Sequence, residues 1–309
     1  MIEKFLGIEI GGTKIQVFLT DKDINIIKRH KFFVGREKEA AIIRDKIRES
    51  VNEISDEYKI TAAGVGFGGP VDFRTGRTIT SHQVSGWADF DLKNWFEGFL
   101  NIPVIIDNDA NTAALGEASL GAGKNYAQVF YITLGSGVGG GLVINGEIYH
   151  AHEAGEAEIG HVRLNKDGTI LEDKCSGWAV DRKIRDYIEI NPGSIVAQLA
   201  GKEKSGEAKY LSQAIKLGDK GAARILQETA DDLAFGVSHV VHLLHPGLII
   251  LGGGLSLVGN LLREAVERSL NAYLMAAMTP PDIRIAALKE DAVCLGAALM
   301  ARKYFELLK

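Results

Sequence analysis

The chain has 309 residues, 46% hydrophobic and 24% charged, with six prolines and a formal net charge of −5. That length allows two ordinary domains or one large one, and the composition excludes a disordered chain. The acidic balance gives no chain-wide basic field, so nucleic acid is not an expected partner.

At the N-terminus, "MIEKFLGIEIGG" has a short apolar run interrupted by acids, which fits a first strand and neither a signal peptide nor a membrane span. "KFLGIEI", "TKIQVFLTD" and "INIIKRHKF" predict three consecutive strands, the basic residues of the third being the solvated face of a hairpin. "REKEAAIIRDKIRESVNEISDEY" then carries apolar residues at helical spacing. A strand at 61–67 follows, then an irregular stretch to about 88, a helix near 91–100 and a strand at 103–107. That strand runs into "DNDAN" and the helix-like "TAALGEASL", so polar heads at a strand end need partners.

A second block opens with the strands "AQVFYITL" and "GGLVI", and "NGE" marks a tight turn into "IYH". From about 177 the chain is largely helical, with a strand at "GLIILGG", a late strand near 282–287 and a closing helix over 291–307. Both halves alternate strands and helices after a glycine-bearing hairpin, which predicts two similar α/β lobes. The expected smaller lobe is 1–115, with 291–309 packing on it, and the larger is 116–290. Cys175 and Cys294 are the two cysteines, too far apart in sequence for a disulfide framework, and a cytoplasmic location is expected.

Glycine accounts for 36 residues and clusters at 11–12, 64–69, 135–141 and 252–254, each time after a short apolar run. "GSGVGG" fits the dinucleotide-binding spacing, but a strand and a hairpin turn follow it where a helix is required, so that reading fails. A glycine turn between strands can still hold phosphate through consecutive backbone N–H groups. "EIGGTK" repeats the arrangement, and the pairing of two such turns, with Thr13 and Thr133 beside them, points to a polyphosphate. "GAGKN" lacks the spacing and the Ser/Thr of a Walker loop and reads as a helix end, while "HEAGEAEIGH" has Glu156 four residues after His152 and is no zinc-protease motif. Glu153, Glu156, Glu158 and His161 lie close together beside glycines, a run that a solvated acidic face also explains; Glu158 and His161, flanking a glycine, offer the mix of acceptors and donors, with little bulk, that a sugar needs.

"LGIEIGGTKI", "GVGFGGPVD", "NDANTAALGE", "ITLGSGVGGGLVINGEIYHAHEAGEAEIGH" and "IILGGGLS" resemble, in order and spacing, the ROK family of sugar kinases and sugar-responsive repressors, over essentially the whole chain. The resemblance implies a two-lobed, actin-like, ribonuclease-H-like ATPase fold of the α/β class, with the active site in the interlobe cleft. It implies Asp109 as general base and Asn108, Glu158 and His161 as sugar contacts. Gly11, Gly12, Thr13, Lys14, Thr133, Gly135 and Gly137 match its phosphate turns, and Gly253 and Gly254 its adenosine side. Asp107 is a rival base on chemistry alone, since strand residues two apart share a face; the resemblance selects Asp109.

Three departures from the family pattern stand out. Glu9 replaces an aspartate and is expected to hold Mg²⁺ through water. The cysteine-rich zinc element is reduced to "EDKCSGWAVDRK", and Cys175 with His161 cannot supply four ligands, so zinc is not expected and Trp178 with its apolar neighbours is expected to pack in its place. The family's sugar-binding glutamate after the cysteines has no clear match, and Asp181 is the candidate.

The function expected is ATP-dependent, Mg²⁺-requiring phosphorylation of a hexose, glucose-like at its 6-hydroxyl, by a homodimer. The alternatives are an N-acylhexosamine kinase and a non-catalytic sugar sensor. The chain begins at its first strand, so no DNA-binding module is expected.

Overall fold

The computed structural model describes residues 3–35, 39–81, 84–203 and 205–309. Strands β1 (Lys4–Ile10), β2 (Lys14–Asp21) and β3 (Ile26–Phe33) form an antiparallel meander. β1 is buried along nearly its whole length, whereas β3, at the sheet edge, alternates between half-buried and exposed residues. Helix α1 (Ala40–Glu57) buries Ile43, Ile47, Val51 and Ile54, a stripe at helical spacing, in the same core as Leu6, Ile8 and Val17. The helix predicted from the sequence starts earlier, at residues 36–38, which lie outside the described residues.

β4 (Ala62–Phe67) pairs parallel with β1, and a small hairpin, β5 (Val71–Asp72) with β6 (Arg77–Thr78), occupies the stretch expected to be irregular. Helix α2 (Leu92–Leu100), strand β7 (Val104–Asn108), parallel to β4, and helix α3 (Asp109–Leu120) complete this block. The sheet order is β3-β2-β1-β4-β7.

The second block begins with β8 (Gln128–Leu134), β9 (Val138–Ile144) and β10 (Glu147–Ile148). Asn145 and Gly146, with φ of 52° and 80°, make the tight turn into β10 that "NGE" predicts. Six helices and two strands follow: α4 (Leu171–Cys175), α5 (Gly177–Ile190), α6 (Ile195–Ala200), α7 (Leu211–Lys216), α8 (Lys220–Leu244), β11 (Leu248–Gly252), α9 (Asn260–Leu270) and β12 (Asp282–Ile285). The order β10-β9-β8-β11-β12, with β11 parallel to both β8 and β12, repeats the scheme of the first sheet. Helix α10 (Ala292–Leu307) closes the chain.

Two compact units result: Met1–Asn125 with Gly141–Glu156 and Glu290–Lys309, and Tyr126–Gly140 with Ala157–Lys289. The sequence expectation put 141–156 in the larger lobe. This segment groups with the first unit because Gly141 lies directly on α3, where a Cβ would stand 2.8 Å from the Ala110 carbonyl oxygen and from Ala114 Cβ. Within the same unit α10 packs on α3 and β1 through backbone contact: a Cβ at Gly116 would come 2.5 Å from the Ala292 carbonyl, and one at Gly296 would overlap the Thr112 carbonyl. Among the described residues no helix is long and apolar enough to cross a membrane.

Gly296→Val is therefore expected to destabilise the fold by about 3 kcal/mol, since backbone atoms cannot yield as a side chain can, and urea unfolding measures it. A second expectation concerns Asp219, which caps α8 by accepting the Gly221 and Ala222 N–H groups at 3.0 Å and also accepts the Val196 N–H at 2.9 Å. Burial raises its pKa, but these backbone bonds outweigh it and hold the carboxyl below its ordinary value. Asp219→Ala is expected to cost about 2 kcal/mol at neutral pH. Because the folded pKa is depressed, the wild-type advantage is complete above the unfolded carboxylate range. It fades as pH falls through the folded value, and parallel unfolding at acidic and neutral pH reads this out.

Candidate active site

Strand β7 ends in Asp107 and Asn108, and α3 begins at once with Asp109. Asn108 makes the change of direction possible. Its Oδ1 accepts the Ala110 and Asn111 N–H groups at 2.8 and 3.3 Å, capping the helix, while its Nδ2 donates to the Gly69 carbonyl at 3.1 Å. Asp107 is 3% exposed, and its Oδ1 accepts from the Asn108 backbone at 2.7 Å and from Asn111 Nδ2 at 3.1 Å. Its Oδ2 lies 2.7 Å from His150 Nε2. Burial alone would lower the His150 pKa, but the bond to Asp107 and the charges of Asp107 and Glu156 hold it above its usual range.

The rivalry between Asp107 and Asp109 rested on their sharing a strand face. The strand ends between them, so they do not: Asp107 is tied into the interior, and Asp109 is half-buried on the first turn of a helix. A Cβ placed on Gly68 would be 3.4 Å from Asp109 Oδ2, 3.4 Å from Gly11 Cα and 3.2 Å from the Ile10 carbonyl. The carboxylate and the β1–β2 glycine turn thus converge on one point within the first unit.

That turn is closed by Gly11 N–H donating to the Lys14 carbonyl at 3.1 Å, with Gly12 half-buried and Thr13 exposed at its tip. Lys14, expected at the phosphate, instead pairs with Glu9 Oε2 at 3.2 Å and donates to the Glu290 carbonyl at 3.3 Å. Gln16 Nε2 also donates to Glu9 Oε2, at 2.7 Å. Glu9 is 8% exposed, and burial raises its pKa against the opposing pull of Lys14 and Gln16.

In the second unit, Gly135 N–H donates to the Gly137 carbonyl at 2.9 Å and the Gly135 carbonyl accepts the Gly177 N–H at 2.7 Å. The β8–β9 turn is thereby fixed to the start of α5, whose cap is Ser176. A helix N-terminus beside a glycine turn favours a bound anion. Thr133, at the end of β8, pairs with Gly252. Gly253, at φ 77°, lies on the same turn: a Cβ there would stand 2.5–2.6 Å from the Leu134 backbone. Gly254 opens onto free space.

Glu158 and His161, both exposed, flank the 3₁₀ turn Ile159–His161. Asp181 is accounted for differently from the sequence expectation. It is 4% exposed, and its oxygens accept the Gly206 and Ala208 N–H groups at 2.9 and 2.8 Å, so it is consumed in tying α5 to the following chain. The sequence reading did not single out Glu172. Its Oε2 accepts the Val138 N–H at 2.8 Å and sits against Gly137, and Leu171 N–H donates to the Val162 carbonyl at 2.9 Å, next to His161. Gly160 in turn packs on the Val138 carbonyl. Val138 therefore joins Glu172 to the Glu158–His161 turn. Glu172 is the acid of "LEDKC" three residues before Cys175.

A cysteine-type zinc site does not fit these residues. Cys175 is fully buried, its Sγ donates to the Thr229 carbonyl at 3.5 Å, and burial pushes its thiol pKa up, away from a ligating thiolate. Trp178 does not pack inward as expected, being 53% exposed, whereas its neighbours Leu171, Cys175, Ala179 and Val180 are buried.

Comparison with known proteins matches the ROK family model over residues 5–304. A glucokinase of Thermotoga maritima is 31% identical over 97% of this chain and 98% of its own, and one of Streptomyces coelicolor is 32% identical over 96% and 97%. The crystal structure of a ROK family glucokinase from Streptomyces griseus in complex with glucose and AMPPNP superposes with a TM-score of 0.86 at 29% identity, covering 98% of this chain and 100% of that one. Its α/β architecture is the actin-like ATPase fold, and the chain belongs to the ROK family.

Proposed function

We propose that the protein is an ATP-dependent hexose kinase that transfers the γ-phosphoryl group to the 6-hydroxyl of glucose or a close analogue. The observation that carries this reading is the convergence of Asp109 Oδ2 and Gly11 Cα, each 3.4 Å from one point beside Gly68. A sugar hydroxyl held by the acid then lies next to phosphate held by the turn. Full-length similarity to glucokinases supports the substrate class.

Phosphoryl transfer proceeds through a loose transition state, so positioning and charge compensation do most of the work. As the bond from the sugar oxygen to phosphorus forms, Asp109 accepts the hydroxyl proton, and the bond to the leaving ADP oxygen breaks. Backbone N–H groups at the 11–13 turn compensate phosphate charge, and in the second unit those of the 135–137 turn, with the start of α5, offer the same chemistry. In the second unit Glu158, His161 and Glu172 offer acceptors and donors for sugar hydroxyls, and in the first the remaining Asn108 amide proton can do the same. Gly253 and Gly254 admit the adenosine end without side-chain bulk.

The residues fit a nucleotide-borne Mg²⁺. Glu9 Oε2 is occupied by Lys14 and Gln16, while Oε1 turns toward Gly11, 3.8 Å from where a Cβ would be. An ion received there through water would shield the phosphates. Two buried, unpaired cysteines accord with a cytoplasmic enzyme. A homodimer belongs to the same reading, and native mass measurement tests it.

An ADP-release assay with glucose, mannose, N-acetylglucosamine and N-acetylmannosamine is expected to give the highest kcat/KM with glucose. Absence of turnover with all four sugars overturns the kinase reading. Asp109→Asn is expected to lower kcat by about 10³-fold or more while glucose affinity changes only a few-fold; a near-normal kcat removes Asp109 as base. Glu172→Gln is expected to raise the glucose KM about ten-fold with a smaller effect on kcat, and an unchanged KM removes Glu172 from the sugar contacts.

A further inference from the structure

Behind the β7–α3 junction lies a cluster to which the phosphoryl-transfer reading gives no task. The ligand atoms of Asp107, His150 and Glu156 all lie within 4.8 Å of one another. Asp107 Oδ2 is 2.7 Å from His150 Nε2, and one amide nitrogen, Asn111 Nδ2, serves two carboxylates: Asp107 Oδ1 at 3.1 Å and Glu156 Oε1 at 2.7 Å. The arrangement has more acceptors than donors. Glu156 Oε2 and Asn111 Oδ1 are buried without a hydrogen-bond partner, and Asn111 itself is only 3% exposed. Buried acceptors normally find a donor, so two orphans in one cluster call for positive charge.

We propose that Asp107, His150 and Glu156 bind a first-row divalent cation of the Zn²⁺ or Mn²⁺ kind, with Asn111 Oδ1 as a fourth ligand. Half a turn of the Asn111 carboxamide exchanges Oδ1 with Nδ2, placing an oxygen about as far from the two carboxylates as Nδ2 now stands. Those separations, 2.7 and 3.1 Å, are close to those between adjacent ligands around a six-coordinate ion bound at about 2.0–2.2 Å, with water completing the shell. The cation also replaces the His150–Asp107 hydrogen bond and gives the second Glu156 oxygen a partner. Phe73 stacks on the imidazole with a 3.9 Å centroid separation and a 14° interplanar angle, holding the ring in place as outer groups do for metal-bound histidines. One imidazole among oxygen ligands favours Zn²⁺ or Mn²⁺ over Mg²⁺ or Ca²⁺.

This site uses nitrogen and oxygen ligands and is independent of the cysteine element whose absence argued against zinc. It fastens the 149–156 segment to the junction that carries Asp109, and it stands whether or not the chain is a kinase.

The test uses the full chain, stripped with EDTA and free of sugar and nucleotide, titrated with ZnCl₂ or MnCl₂ alone by calorimetry, with thermal unfolding alongside. The expected result is one site per chain with micromolar or tighter affinity, a raised Tm, and affinity lowered at least about ten-fold in both His150→Gln and Glu156→Gln. Binding weaker than about 1 mM for both ions, or undiminished binding in either variant, overturns the proposal. Should a variant fail to fold, the NMR signals of the His150 ring in the wild-type chain decide, because a ligating imidazole must shift or broaden with one equivalent of metal. No change at those signals overturns the proposal too.

Discussion

The structure turns on a capping interaction: one asparagine carboxamide at the point where a buried strand becomes a helix. A buried strand end leaves backbone groups that need partners, and the first N–H groups of a helix have no partner in the helix itself. Asn108 resolves both demands, accepting from Ala110 and Asn111 and donating back to Gly69 on the neighbouring loop. The direction of the chain at that residue decides that Asp107 goes inward and Asp109 goes to the first turn of α3. Two acids two positions apart acquire opposite environments, which no property of the acids themselves would give.

Around this junction the protein repeatedly uses missing side chains to bring backbones together. β1 and β4 meet α10 through Gly7 and Gly64, α3 meets it through Gly116 and Gly296, and Gly141 lies on α3. Such packing leaves little slack, so the acid on α3 and the β1–β2 turn hold fixed positions within their unit. In the second unit the same economy recurs, since Gly135, Gly177 and Gly253 gather a turn, a helix start and a strand end, the place where the proposed phosphate binding would use bare amide groups. Binding by backbone suits a ligand made of oxygens.

Most of the elements were legible in the sequence because their periodicity is strong: the alternation of β3, the helical stripe of α1 and the glycine turns after apolar runs each carry a local signal. The β5–β6 hairpin was missed because two-residue strands have no periodicity to detect. The 141–156 segment was assigned to the other unit because close backbone packing leaves no mark except an isolated glycine. At the candidate site, the position of Asp109 at a strand-to-helix junction and the glycine turns between strands were readable from the local pattern. Asp181 was expected at the sugar, and its partners, two amides some 25 residues on, are invisible in sequence. His150 lies 43 residues from Asp107, and only the fold brings them together. Lys14 shows the same limit, since its pairing with Glu9 depends on the register of two strands.

The first unit is assembled from three separated stretches of chain, the last being Glu290–Lys309. During synthesis a chain grown to residue 289 holds everything the second unit needs, while the first still exposes the faces of β1, β4 and α3 that α10 will cover. The half bearing Asp109 is thus the later one to be completed on the ribosome, and its uncovered apolar surface needs shielding until residues 290–309 have emerged.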